Sequence, residues 1–237
     1  MLRSGKIASV LPRLRKGWPA AFLFDLDGTL VDTEMLWVQA IADFLGDRGA
    51  SASPQHLTAL VFGHSWLDIQ ATLHERFPVL PKSGPEEDAK TLRPYYARRA
   101  VNPESQVIPG AVAFLKKVSR IAPCVIVSGS PHDDVLQAAE LCGVENLVRF
   151  VLGAEDYGRG KPAPDGYLKA ASLLEVDASE CVVVEDSTAG VQAGRAAGMR
   201  VIGVDRNQRA PQDFAGCEWL VHDLSELDVN AVFGDAD

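Results

Sequence analysis

The chain is expected to fold as an α/β protein: a doubly wound, mostly parallel sheet with an α-helical insertion. Strand-length apolar runs recur at Ala21–Phe24, Cys124–Val127, 149–152, 181–184 and Arg200–Val204. They are continuous rather than alternating, which suits strands buried on both faces of a parallel sheet. Helical stretches with readable ends lie between them, the strand–helix alternation of a Rossmann-like core. Residues 34–106 break the pattern, since they hold helical stretches and no buried strand run.

The elements follow in order. Ala21–Phe24 leads into Asp25-Leu26-Asp27-Gly28-Thr29. Helices are then expected over 35–48, Pro54–Val61, 65–77 and Pro85–Arg99, with Pro78, Pro81 and Pro85 punctuating the middle. Asn102-Pro103 and Pro109-Gly110 mark the return. After Cys124–Val127, Ser130 is placed to cap a helix with Pro131 at its first position, and Gly143 to close it. Ser187 caps another that runs to Gly198, a residue suited to ending a helix in the left-handed conformation. The expected domains are an α/β core at 17–33 and 107–237, a helical cap at 34–106, and a basic N-terminal extension at 1–16.

Composition narrows the function classes. The chain has 237 residues, 47% hydrophobic and 23% charged, enough for a core without disulfide or metal staples. Its longest apolar runs fall far short of the ~20 residues of a membrane span, so no membrane partner is expected. The net charge is −9, and residues 1–16 hold five basic side chains and no acid, so the rest carries −14. An acidic body argues against nucleic-acid binding, which needs a basic surface. The basic segment lacks the apolar region of a signal peptide and is expected to be a poorly ordered extension. Cys124, Cys142, Cys181 and Cys217 show no CxxC spacing. They are read as small hydrophobes in a reducing compartment, so a cytoplasmic location is expected, and a monomer is favoured.

The chemistry-bearing residues fall just past strand ends, where open α/β sheets place ligands. Asp25 and Asp27 follow the first run, Ser128-Gly129-Ser130 the second, and Glu185-Asp186 the run at 181–184, while Lys161 lies in Gly160-Lys161-Pro162-Ala163-Pro164-Asp165. Four carboxylates gathered together would raise each other's pKa values unless a cation sat among them. A hard-oxygen ion such as Mg²⁺ fits, and the absence of His and Cys from these clusters argues against zinc. A metal with a nearby lysine and hydroxyls makes a phosphoryl site, in which a carboxylate can attack in line.

With these motifs in this order, the chain resembles the haloacid dehalogenase superfamily over roughly residues 20–225, in the phosphatase branch with a small helical cap, the β-phosphoglucomutase-like group. The four fixed positions of DxDGT would arise by chance in roughly one such chain per thousand, and the further ordered motifs make coincidence far rarer. The resemblance implies that Asp25 is the nucleophile and Asp27 the general acid and base. It implies that Ser128, with Gly129 beside it, binds the phosphoryl group, that Ser130 is a weaker candidate, and that Lys161 steadies nucleophile and phosphate. The metal set it implies is Asp25, the backbone carbonyl of Asp27, Asp186, and Glu185 as ligand or neighbour. Haloacid dehalogenases proper lack the second aspartate, so Asp27 directs the expectation to phosphoryl chemistry.

Each residue also has a plainer reading. Asp-Gly-Thr is ordinary turn chemistry, Asp186 and Glu185 could assist the Ser187 cap, and helix capping alone would explain Ser130. In the cap, Phe62-Gly63-His64-Ser65-Trp66 resembles the family's specificity loop, which makes His64 and Trp66 substrate candidates, although either could simply pack. The mutase has an arginine where Trp66 stands, a histidine at Trp37 and a lysine near Thr91. Lys90, Arg93, Arg98 and Arg99 read as a solvated helix face, and neither Lys82 nor Lys90 is placed for Schiff-base chemistry. The expected function is Mg²⁺-dependent hydrolysis of a small phosphomonoester, a sugar phosphate or a related polyol or carboxylate phosphate, through an aspartyl-phosphate. The alternatives are a phosphosugar mutase and a non-catalytic phosphometabolite-binding module.

Overall fold

The computed structural model describes residues 17–62, 64, 66–100, 106–206 and 211–234. The expected N-terminal extension, Gly63 and Ser65 of the specificity loop, and Asn102-Pro103 lie outside the described residues.

Six strands make one sheet: β1 (Ala21–Phe24), β2 (Cys124–Val127), β3 (Val148–Leu152), β4 (Cys181–Glu185), β5 (Arg200–Val204) and β6 (Trp219–Val221). Their order is β3-β2-β1-β4-β5-β6, and every neighbouring pair is parallel. The chain winds outward from β1 to one edge, then returns to β4 on its other side. The direction of winding therefore switches between β1 and β4, whose C-terminal ends form the crevice that open sheets use for ligands.

Burial on both faces explains the unbroken apolar runs. Phe22 and Phe24 pack with Phe114 and Leu115 of α5 (Pro109–Val118), Val135 of α6 (His132–Leu141), and Val229 and Phe233 of α9 (Val229–Phe233). Ala21 and Leu23 point the other way, into Tyr167 and Ala170 of α7 (Asp165–Leu174) and Val191 of α8 (Thr188–Ala196). All four β1 side chains are fully buried, and transfer of such side chains from water contributes about 1.5–3 kcal/mol each for the larger ones.

Among the described residues between β1 and α5, the regular elements are helices: α1 (Glu34–Gly46), α2 (Pro54–Val61), α3 (Trp66–Arg76) and α4 (Pro85–Arg99). They enclose an apolar cluster of their own around Val38, Ile41, Phe44, Leu57, Leu73 and Leu92. The segment leaves and re-enters the sheet region side by side. Asp32 N–H donates to the Gln106 carbonyl (2.7 Å), Ile108 N–H to the Leu30 carbonyl (2.9 Å), and Val31 and Val107 form an antiparallel bridge.

Several expectations need correction. The helix expected over 35–48 runs Glu34–Gly46 and yields to Gly49 at φ +72°. The helix expected to open at Ser130-Pro131 begins at His132, with Pro131 at the cap position and no side-chain capping bond. The Ser130 hydroxyl is taken by Asp27, which removes it from capping. Strand β6 was not anticipated. Ser187, by contrast, accepts from Gly190 N–H at 3.1 Å as a cap should, and Gly143 (+61°) and Gly198 (+74°) both hold positive φ.

Candidate active site

The site is built from the C-terminal ends of β1, β2 and β4 and the loop before α7. Asp25 directly follows β1, and its N–H donates to the Val184 carbonyl (3.0 Å), which fixes its backbone against β4. Gly28, at φ +96°, turns the chain back so that Gly28 N–H reaches the Val31 carbonyl (2.7 Å). This brings Thr29 beneath the site, where its hydroxyl donates to Asp186 Oδ1 at 3.3 Å.

Lys161 reaches in from the loop before α7. Its ammonium donates to Asp25 Oδ1 (2.5 Å), Glu185 Oε1 (2.6 Å) and the Val127 carbonyl (3.2 Å), tying together the ends of β1, β2 and β4. Glu185 is fully buried and surrounded by donors: Tyr167 Oη (2.8 Å) on Oε1, and Asp186 N–H (3.0 Å), Ser187 N–H (3.2 Å) and Ser187 Oγ (3.0 Å) on Oε2. That set of partners is what a buried carboxylate requires.

Asp27 sits between hydroxyls. Thr33 donates to Oδ1 at 2.8 Å, while Ser130 (2.6 Å) and Ser128 (3.1 Å) both donate to Oδ2. The serine loop is itself pinned. Tyr157 Oη donates to the Ser128 carbonyl (2.8 Å), Ala154 N–H to the Ser130 carbonyl (2.9 Å), and Ser130 N–H to Ser128 Oγ (3.0 Å).

The electrostatics follow from burial and crowding. Burial lifts the Asp25 carboxyl well above its ordinary range; Lys161 opposes this, and Glu185, Asp186 and Asp27 add to it. Burial alone would lower Lys161, yet Asp25 and Glu185 hold it well above its ordinary value, so it stays an ammonium. Burial, then the Glu185 charge, pushes the Tyr167 phenol far up, which keeps it a neutral donor.

Asp25, Glu185 and Asp186 each offer a carboxylate oxygen, and the three lie within 4.8 Å of one another. All three are buried, and Lys161 pairs with two of them, Asp25 and Glu185. A donor set of hard carboxylate oxygens without His or Cys fits Mg²⁺.

A cavity of about 610 Å³ opens over these residues. Asp25, Asp27, Ser128, Gly129, Ser130 and Lys161 border it on the sheet side. His64 and Trp66 border it from the inserted helices, so the structure gathers them with the sheet-end residues. Glu185 and Asp186 lie beside it, linked through Lys161, Thr29 and Ser187.

Other residues of the site had no individual signal. Tyr157 and Tyr167 are single aromatics in ordinary helical or loop context, and only tertiary placement directs their hydroxyls to Ser128 and Glu185. Thr33 stands at the cap position of α1 but makes no capping bond, its hydroxyl being spent on Asp27. Its place six residues after Asp27, in the same polar loop, was the one available hint.

The chain is similar to known proteins. The model of a hydrolase family, haloacid dehalogenase-like hydrolase, matches residues 19–198. Hexitol phosphatase A of Escherichia coli is 32% identical over 209 residues, covering 88% of this chain and 93% of its own length. A β-phosphoglucomutase of Mycobacterium tuberculosis is 30% identical over 237 residues, covering 87% and 90%. In fold, a CbbY variant from Rhodobacter sphaeroides, solved with xylulose-1,5-bisphosphate, superposes with a TM-score of 0.74 at 22% identity, covering 91% of this chain and 99% of that one. A family model that matches most of the chain makes this chain a member of the haloacid dehalogenase-like hydrolase family.

Proposed function

We propose that the protein is a Mg²⁺-dependent phosphatase that hydrolyses a small phosphomonoester, a sugar phosphate in the first instance. The observation that carries this is the convergence of Asp25, Asp27, Lys161 and Ser128 on one cavity. Relatives named as phosphatases, hexitol phosphatase A and fructose-1-phosphate phosphatase YqaB of E. coli among them, support the reaction class.

Lys161 holds Asp25 Oδ1, which leaves the second carboxylate oxygen to attack phosphorus. A bond from the Asp25 carboxylate oxygen to phosphorus forms, giving an acyl phosphate, as the bond from phosphorus to the substrate oxygen breaks, and protonated Asp27 delivers its proton to the departing alcohol. Asp27, now ionised, takes a proton from water as that water attacks phosphorus. The oxygen–phosphorus bond of the acyl phosphate breaks, inorganic phosphate leaves, and the Asp25 carboxylate and protonated Asp27 are restored. Ser128 Oγ and the Gly129 backbone N–H hold the phosphoryl oxygens, and the Lys161 ammonium supplies positive charge beside them. Mg²⁺, held by Asp25, Asp186, Glu185 and the Asp27 carbonyl, would supply further charge neutralisation for the phosphoryl group. In this reading residues 34–106 act as a cap that shields the transfer from bulk water, and the four unpaired cysteines support a reducing, cytoplasmic setting.

Phosphate release is measured over a panel of phosphorylated metabolites with Mg²⁺ and with EDTA. Release that EDTA abolishes, and that Asp25→Asn reduces to background while circular dichroism is unchanged, is the expected result. Appreciable turnover by the Asp25→Asn protein would sink the nucleophile assignment. The relative named β-phosphoglucomutase favours a second reading, phosphosugar interconversion. It predicts bisphosphate-primed isomerisation without phosphate release, and Trp37 and Trp66, standing where the mutase holds basic residues, speak against it.

A further inference from the structure

The cavity wall opposite the sheet has a make-up that phosphoryl transfer does not call for. Trp37 of α1, Trp66 of α3 and Tyr96 of α4 all border it. Trp37 and Tyr96 stack with ring centroids 4.4 Å apart at 29°, and Trp66 lies 6.2 Å from Trp37. Two of these rings have their polar atoms engaged by the protein. Trp66 Nε1–H donates to the Pro85 carbonyl (3.0 Å), and Tyr96 Oη donates to Gln106 Oε1 (3.0 Å). Both bonds fix ring orientation and leave mainly apolar ring surface for a ligand. Ile41, Val61 and Ile69 extend that surface. Arg93 is the one arginine among the described lining residues, and it is ion-paired with Asp134 at 2.8 Å.

We infer that the substrate is a monophosphate ester of an uncharged alcohol that carries a ring and is larger than a triose, the ring packing on Trp37, Trp66 and Tyr96. This rests on the phosphatase reading above. A second phosphate or a carboxylate on the substrate would meet an arginine already neutralised by Asp134. An open-chain polyol would press hydroxyls against ring surface on which Trp66 and Tyr96 already have their polar atoms engaged, and each buried unpaired hydroxyl weakens binding. A ring presents an apolar face that matches the wall, and the cavity volume falls within the range that encloses drug-sized ligands.

The test compares kcat/KM for three esters that all leave as primary alcohols: 2-phenylethyl phosphate, methyl glucoside 6-phosphate and glucitol 6-phosphate. Phosphoglycolate and glucose 1,6-bisphosphate serve as charged competitors. The expected result is that both ring esters exceed glucitol 6-phosphate by about tenfold or more, chiefly through KM, and that Trp37→Ala compresses this ratio toward one. Equal or better turnover of glucitol 6-phosphate or of either charged ester by the wild-type protein overturns the inference, and so does an unchanged ratio in folded Trp37→Ala. Should none of the esters be hydrolysed, the phosphatase reading falls separately. Quenching of indole fluorescence by 2-phenylethyl phosphate and not by glucitol 6-phosphate then still upholds the aromatic wall as a ring site, and equal quenching by both overturns it.

Discussion

Ser130 shows how a tertiary contact reassigns a residue. Before a proline at the mouth of a helix it has the sequence context of a cap, yet its hydroxyl spends itself on Asp27 Oδ2 at 2.6 Å. Together with Thr33 on Oδ1, it brackets the carboxylate proposed to shuttle the proton. Ser130→Ala is therefore expected to lower kcat by about ten- to a hundredfold with little change in KM, and Ser130→Thr to recover much of the loss, both read by steady-state kinetics. A loss confined to KM would place Ser130 on the substrate instead. Gly190, one helical turn past the Ser187 cap, makes the complementary case. A Cβ there would overlap the Glu185 carboxylate, which five hydrogen bonds hold in place. Gly190→Ala is expected to cost about 1–3 kcal/mol in urea unfolding and to weaken Mg²⁺ binding measured calorimetrically, since neither Glu185 nor Lys161 can stay put.

At the scale of elements, the inserted helices are joined by a polar clasp as well as by their apolar cluster. Asp88 of α4 is buried and accepts from Ser83 Oγ (2.5 Å) and Gln70 Nε2 (2.8 Å), and it pairs with His74 Nε2 (2.6 Å), so α3 and α4 are locked together. Burial works to raise its pKa, but the hydrogen bonds from Ser83, His74 and Gln70 win and hold it below the ordinary carboxylate value. A group whose folded pKa is depressed contributes stability above its unfolded pKa, near 3.9, and loses it as pH falls through the folded value. Melting temperature should therefore fall more steeply below about pH 4 in the wild-type protein than in Asp88→Asn. Parallel curves would remove Asp88 from the acid limb.

Legibility in the sequence divides along the same line. β1, β2, β4 and β5 could be read because two-sided burial demands unbroken apolar runs. The motif residues could be read because each follows such a run. β6 could not, being three residues long with Leu220 exposed, so that neither length nor periodicity marks it. Tyr157, Tyr167 and Thr33 escaped because a hydroxyl's partner is set by packing between elements far apart in the chain.

For the whole molecule, the defining fact is that Lys161 meets Asp25 across 136 positions of sequence, and Glu185 across 24 more. The floor of the site exists only once β1, β2 and β4 are aligned. Loss of phosphate release in urea is expected to coincide with loss of sheet signal in circular dichroism, and activity that outlasts the sheet would contradict this assembly. The two strands of chain that tie the helical segment to the sheet are different in kind. They run alongside each other and are stitched at Val31–Val107 and Asp32–Gln106. Most of the segment beyond that seam, Thr33 at its start excepted because it holds Asp27, could be exchanged for another whose ends lie equally close, while the sheet keeps Asp25 and Lys161 where they are. On the proposed reading, substrate choice and bond-breaking become separable inheritances within one chain, and selection can rewrite the first without reopening the second.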